Sequence, residues 1–324
     1  MPASVLQAPP AAPAVRRSGG VRRGLGRSSS LDRSRRRAFW PFVAPALLMY
    51  TAFVIGPVGY AVWISLHESA GFGESRWTGL GNYRRLVTDP VFRTSLLNTL
   101  QLLVVVGACT FVLAFALTMV LREMRGRLFA RNVLFFPNLV NGLVYGVMAG
   151  LLFNPDGLVN TVLRAFGVEH PPRWLAQDNV FPLIMGVMVW GATGYFTTII
   201  MAGVDRIPPY YYEECELAGA SAWQRLRHVT LPLTWDVLTV CALLWTISSV
   251  KVFELVLVFG GAKGLPPSNT WPVALYSYAE AFGGVGGAVP RYGMACASAL
   301  LSLVLVAGVV LILRRLLDRE PVQF

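Results

Sequence analysis

The sequence predicts an all-α integral membrane protein with six transmembrane helices, and three observations predict it. The 324 residues are 55% hydrophobic and only 14% charged, where a soluble domain carries about a quarter charged residues. The mean hydropathy is +0.54. Six predominantly apolar runs, at about 39–66, 98–121, 132–153, 182–203, 233–259 and 292–313, are each long enough to cross a hydrocarbon layer roughly 30 Å thick. Finally, the arginines crowd the tails and alternate connections. By the positive-inside rule this places both termini on the cytoplasmic face, and the bias toward Arg, Ala, Gly and Val suggests a GC-rich bacterial genome and hence a bacterial cell membrane. The net charge of +11 therefore suits an anionic inner leaflet and does not argue for nucleic acid.

Residues 1–37 are rich in Pro, Ala, Gly, Ser and Arg. They lack the apolar content to fold and are expected to form a disordered basic tail. Residues 38–317 form one transmembrane domain and 318–324 a short C-terminal tail. The first span is too long and continuous for a cleaved signal. It carries Pro45 and Pro57, which neighbouring helices can support in a membrane. A polar connection with WTGLGNYRRLVTDPVF at its centre leads to the second span. Arg122, Arg125, Arg127 and Arg131 mark the next connection as cytoplasmic. The third span contains Pro137, and NPDGLVNTVLRAFG follows it, with Trp174 suited to an interface. GGAKGLPPSNTWP joins the fifth span to the sixth, which ends at Arg314, Arg315 and Arg319.

The connection 204–232 is the most informative. Pro208 and Pro209 open a helix, a position where missing N–H donors cost little. Glu213, Glu214 and Glu216 lie near that start, where the helix dipole favours negative charge. Gly219 breaks the run. A second short helix is expected from Ser221 to about Val229, with Arg225, Arg227 and His228 near its end and Pro232 closing it. The result is a helix–Gly–helix elbow at the membrane surface. It resembles the coupling loop of ABC importer permeases, whose pattern is Glu-Ala-Ala, three residues, Gly, nine residues, Ile, any residue, Leu-Pro. Glu213, Gly219, Leu231 and Pro232 keep every spacing, and Val229 stands for Ile. Glu214, Cys215 and Ala218 depart from it. Gly79-Leu80-Gly81-Asn82-Tyr83 likewise resembles a family motif, and the likeness runs from about Pro41 to Ile312. It is nearest the carbohydrate-type, maltose-system-like permeases.

The resemblance implies the type I ABC importer permease fold and an ATPase-coupling role for Glu213, Gly219, Ala220, Ser221, Ala222, Trp223, Arg225, Leu231 and Pro232. For Gly219 a plain helix C-cap is an equal reading. The resemblance also implies partners: two copies of an ATP-binding subunit that uses ATP-Mg, a second homologous permease forming a heterodimer, and an extracytoplasmic solute-binding protein. The expected cargo is a sugar or oligosaccharide.

The residues exclude other chemistry. No GxxxxGK[ST], HExxH or GxSxG occurs, and the three His and four Cys have no metal-ligand spacing. The chain is expected to bind no cofactor or metal and to catalyse no reaction. The four cysteines read as small buried apolar thiols. Lys251 and Glu254 are charged residues inside an apolar span. Their spacing of three suits an ion pair on one helix face, or the border of a polar cavity. Asn138, Asn141, Tyr145, Trp190, Tyr195 and Phe253 could line that cavity with amides and aromatic faces that suit a sugar ring. Two competing classes are weaker. An ion-gradient-driven secondary transporter normally shows an inverted repeat with paired broken helices, and no clear repeat is visible. A membrane enzyme needs a catalytic cluster at a water-exposed rim.

Overall fold

The computed structural model describes residues 30–71, 74–261, 264–283 and 289–317, with side chains from Phe39 onward and without that of Glu123. The expected basic tail up to residue 29 and the C-terminal tail, 318–324, lie outside the described residues. The chain divides into two compact units, residues 1–57 and 58–324. In the first unit, α1 (Ser30–Tyr50) continues into a π-helical turn, Thr51–Ile55. Residues 30–37, expected to be disordered, are thus helical. Pro41 and Pro45 lie inside α1, and Phe42 and Phe53 are exposed, as befits a helix that meets lipid or protein instead of water.

The second unit is nearly all helix. Its elements are α2 (Gly56–Ser65), α3 (Gly81–Thr88), α4 (Pro90–Gln101), α5 (Gly107–Glu123), α6 (Arg127–Leu139), α7 (Gly142–Leu152), α8 (Leu158–Ala165), α9 (Val180–Val204), α10 (Tyr210–Leu217), α11 (Ala222–Arg225), α12 (Leu231–Leu233), α13 (Trp235–Val250), α14 (Glu254–Val258), α15 (Val273–Phe282) and α16 (Tyr292–Leu317). The one sheet among the described residues is a two-residue antiparallel ribbon, β1 (His67–Glu68) against β2 (Arg76–Trp77).

Four helices are long and apolar enough to span: Phe39–Ser65, Pro90–Arg122, Val180–Val204 and Tyr292–Leu317. The expected third and fifth spans are bent pairs instead. Arg127–Leu139 and Gly142–Leu152 meet at 96°, and Ala222–Leu233 and Trp235–Val250 at 71°. Counting each pair as one span gives six. The third span therefore breaks at Val140–Asn141, three residues past Pro137. The second begins at Pro90, eight residues before Asn98, because Asp89 caps it: its carboxylate accepts from the N–H groups of Val91 and Phe92 at 2.8 and 3.2 Å. The fifth ends at Val250 and restarts at Glu254.

The helix α9 is the centre of the unit. It packs along α5, α6 and α13. Lipid offers no hydrophobic incentive for helices to associate, so close backbone approach through small residues and interhelical hydrogen bonds must hold them. Gly194 supplies the approach: a Cβ there would land on the backbone carbonyl of Leu134 in α6. Gly107, the first residue of α5, lies under the Trp245 indole of α13, whose ring a Cβ there would meet. That indole donates to the Leu103 carbonyl at 2.8 Å, within a π-helical turn, Leu102–Val106. Phe111 of α5 and Trp245 both meet Phe196 of α9 edge-on, at 5.1 and 5.9 Å. Hydroxyls inside the helices bond back one turn, as Thr193, Thr197, Thr198 and Thr246 do. These four hydroxyls are thereby satisfied within their own helices, whereas the Ser95 and Thr110 hydroxyls of the second span are buried without a partner.

A second cluster, Leu86, Phe92, Val273, Tyr276, Met294 and Ala297, lies at the end where α4 and α16 begin. Polar side chains stitch its non-helical segments. Buried Asn82 donates to the carbonyls of Ser65 and His67 at 2.8 and 2.9 Å, which explains why the Gly-Leu-x-Asn-Tyr stretch carries Asn there. Asn98 donates to the carbonyls of Asn269 and Trp271, and the Tyr276 hydroxyl to Asp89 at 2.9 Å. The helix α15, unmarked in the sequence reading, packs on α16 and α4. The exposed pair Arg85–Glu68, 2.7 Å apart, holds the Glu68 carboxyl below its usual range, and at such exposure contributes little stability.

Gly194→Ala is expected to destabilise the protein by about 1–3 kcal/mol, because the α6–α9 crossing cannot open without loss elsewhere. Gly186→Ala on the same helix meets open space and should stay within about 0.5 kcal/mol. Thermal unfolding of the detergent-purified protein reads both, and equal midpoints for the two variants would contradict the close crossing.

Candidate functional site

The elbow follows α9 directly. Its first arm, α10, starts after Pro209 and stops at Gly219, whose φ of +70° is a left-handed conformation that glycine reaches without strain. The Gly219 N–H bonds the Glu216 carbonyl at 3.0 Å and the Ala220 N–H the Cys215 carbonyl at 2.9 Å. These two bonds make a Schellman motif, so Gly219 is a helix-ending glycine, and the cap reading of the sequence describes its local geometry. Ser221 then opens the second arm with a capping box. Its hydroxyl accepts from the Gln224 N–H at 3.3 Å, and the Gln224 side chain accepts from the Ser221 N–H at 2.7 Å. Arg225 reaches back across the corner to Glu216 at 2.7 Å and bridges the two arms.

The second arm departs from expectation at its end. It passes through a π-helical turn, Leu226–Thr230, into α12, so Pro232 lies inside it and the bend comes at Thr234. Proline at the first turn of α12 lacks no needed partner, so it does not stop the helix. Glu213, Gly219, Ser221, Ala222 and Trp223 are exposed, Ala220, Arg225 and Leu231 half-buried, and Pro232 exposed. Two large apolar side chains stand out in this polar stretch: Leu217 is 91% and Trp223 67% exposed, one at the end of each arm nearest the corner. Leu217 went unnoticed in the sequence. Its signal is a lone leucine beside an acidic run, at the last position before the break.

Two of the cavities among the described residues lie along α9 in the membrane-spanning part. One, of about 360 Å³, is lined by Asn138, Tyr145, Tyr195, Phe196, Trp245 and Ser249, among others. The second, of about 770 Å³, is more apolar and includes Tyr145, Phe153, Trp174 and Trp190. Tyr145 lines both, and Gly191 of α9 packs on its ring. Of the expected lining residues, Asn138, Tyr145 and Tyr195 thus meet at the first cavity, with Trp190 at the second. Asn141 instead caps α7, its side chain accepting from the Leu143 N–H at 2.9 Å. Phe253, Lys251 and Glu254 line neither cavity, and Phe253 packs on Tyr278. Trp245 and Ser249 were missed because they read as ordinary residues of an apolar run.

The expected ion pair of Lys251 with Glu254 is not formed. Among the described residues the ion pairs are Arg85–Glu68, Arg127–Asp205, Arg225–Glu216 and Arg291–Glu280. The i, i+3 argument needs one continuous helix. Here Lys251 is the C-cap of α13, Phe253 is at φ −141°, and Glu254 begins the next helix. Both charges are exposed in this chain. The cysteines are also not uniformly buried: Cys241 is buried, Cys215 and Cys296 are half-buried, and Cys109 is exposed. No group of three metal-ligating side chains occurs among the described residues.

Comparison with known proteins agrees with the helical arrangement. Residues 91–320 match the family described as binding-protein-dependent transport system inner membrane component. The trehalose/maltose transport system permease protein MalF of Thermococcus litoralis is 31% identical over 268 residues, covering 82% of this chain and 88% of the relative. The lactose transport system permease protein LacF of Rhizobium radiobacter is 30% identical over 244 residues, covering 74% and 81%. A crystal structure of a bacterial ABC transporter that imports the acidic polysaccharide alginate superposes with a TM-score of 0.75 at 19% identity, over 90% of this chain and 99% of that one.

Because Lys251 and Glu254 do not meet, Lys251→Met and Glu254→Gln should act independently. Their effects on folded yield and thermal stability are expected to add to within about 0.5 kcal/mol. A double variant markedly more stable than the sum would reinstate the ion pair.

Proposed function

The chain belongs to the family of binding-protein-dependent transport system inner membrane components, and on that footing we propose that it is the translocation subunit of an ATP-driven importer of a sugar or oligosaccharide. The observation that carries this reading is the elbow. A rigid corner projects from the end of α9, closed by a Schellman glycine and an Arg225–Glu216 bridge, and it presents Leu217 and Trp223 to solvent. Exposed large apolar groups on an otherwise polar surface mark a docking face. A groove in a separate ATP-hydrolysing subunit is the occupant this face suits, since the chain has no phosphate-binding loop of its own. ATP-Mg is then used by that partner and not by this chain.

The remaining partners follow. One chain offers one elbow, so two ATPase subunits call for a second, homologous permease in a heterodimer. The elbow and both termini face the cytoplasm in this arrangement, in keeping with the arginine distribution. A solute-binding protein delivers cargo from the other side. The similar chains of known name include lactose and trehalose/maltose permeases, and the cavity shared by Tyr145, Tyr195, Trp245 and Asn138 offers ring faces and an amide to a sugar.

Gly219→Val places a β-branched residue at φ +70°, so the corner must distort even though open space surrounds it. Glu213→Lys reverses a charge in the first turn of α10. Both are expected to leave membrane levels normal, to reduce co-purification of the ATPase with tagged permease, and to abolish uptake in proteoliposomes. Tyr195→Ala should instead keep the ATPase and lower sugar uptake on the order of tenfold, as the loss of an aromatic face allows. Full ATPase retention and full uptake in both elbow variants would overturn the reading. Uptake that survives ATP depletion and collapses with the proton gradient would replace it by ion-driven transport.

A further inference from the structure

We propose that Tyr212, with Arg122, is the positioning pair that makes the elbow and the α5 helix move as one body; this rests on the importer reading above. Tyr212 lies in α10, half-buried, two residues after its start. Its ring carries the guanidinium of Arg122 at 3.7 Å from the centroid, and Arg122 sits in the last turn of α5. The hydroxyl of Tyr212 is 3.1 Å from that of Thr230, which is fully buried in the turn leading to α12. One side chain therefore joins three elements: the end of α5, the first arm of the elbow and the end of the second arm.

The consequence lies in what α5 touches. It packs along α9 through Phe111 against Phe196, and Thr118 reaches the Thr197 carbonyl at 3.4 Å. Phe196 lines the smaller cavity and meets Trp245. A displacement of the elbow thus has a packed route to the cavity wall through Arg122 and α5, besides the chain connections to α9 and α13. The Arg225–Glu216 bridge keeps the corner rigid but links it to nothing beyond itself. Tyr212 supplies the outward link. A cation over an aromatic face keeps its attraction over a range of tilts, because the ring offers a surface and not a point, so the contact can persist while the elbow rocks.

The test uses the assembled importer, with ATPase and binding protein, in proteoliposomes, and reads solute imported per ATP hydrolysed. Tyr212→Leu and Arg122→Gln are each expected to lower that ratio about five- to tenfold while the ATPase still co-purifies. Tyr212→Phe keeps the ring and should stay within about twofold of the parent. The double variant Tyr212→Leu/Arg122→Gln should be no worse than Tyr212→Leu alone, which already removes the Arg122 contact. An unchanged ratio in Tyr212→Leu, or losses that multiply in the double variant, would overturn the proposal. Should Tyr212→Leu fail to assemble, Arg122→Gln alone decides, because an unaltered ratio there is equally fatal. If Gly219→Val sheds the ATPase while Tyr212→Leu transports normally, only the Tyr212 inference falls; if neither variant has any effect, the importer reading falls with it.

Discussion

The structure depends on one close contact, the backbone of α9 at Gly194 lying on the Leu134 carbonyl of α6. Helices in lipid gain nothing from hiding apolar surface that the acyl chains would cover equally well. They gain from dense packing, which requires small residues at the crossing. With α6 held there, α7 turns away at 96° and makes room for the cavities beside α9. With α5 held on the other flank by Phe111 and Thr118, the far end of α9 delivers the elbow at a fixed place. The most buried helix of the unit thus sets both the pathway wall and the docking corner.

Polar groups are managed by two different means. Inside the helices, many Thr and Ser hydroxyls turn back on their own ladders, Ser95 and Thr110 excepted, and Trp245 takes a carbonyl in a π-helical turn. In the irregular segments the bonds run between distant parts of the chain, as with Asn82, Asn98 and Tyr276. The first device is local and tolerates movement of whole helices. The second fixes the shape of the end opposite the elbow, where loops would otherwise have unpaired backbone.

Much of this was legible from the residues, and the reason differs by region. The elbow could be read almost fully because its chemistry is local: two prolines, three glutamates, a glycine and a serine each act within a few positions. The long spans could be read because their signal is composition. The bends could not. Asn141 and Thr234 are unremarkable in sequence; Asn141 caps the restarted helix α7, which packs on the distant α14. The same break at Val252–Phe253 separated Lys251 from Glu254, which a continuous helix would have paired. The helix α15 was hidden because ten half-apolar residues in a Gly/Pro-rich neighbourhood carry no periodicity of their own, and only α16 and α4 give them a surface.

Asn98 has a bearing on how the protein is made. Its amide bonds the carbonyl of Asn269, 171 residues further on, and Thr99 accepts from the Val273 N–H, 174 residues on. At about 5–20 residues per second, the ribosome needs roughly ten to thirty seconds to supply those partners. During that interval the start of the second span is complete, and its Thr99 hydroxyl already donates to the Ser95 carbonyl at 2.8 Å, but the Asn98 amide has neither of its carbonyl partners yet synthesised. The span must wait at the water-facing edge of the bilayer, or in the care of the insertion machinery, until the fifth span has passed. The order of synthesis therefore imposes a late docking step on one of the earliest helices.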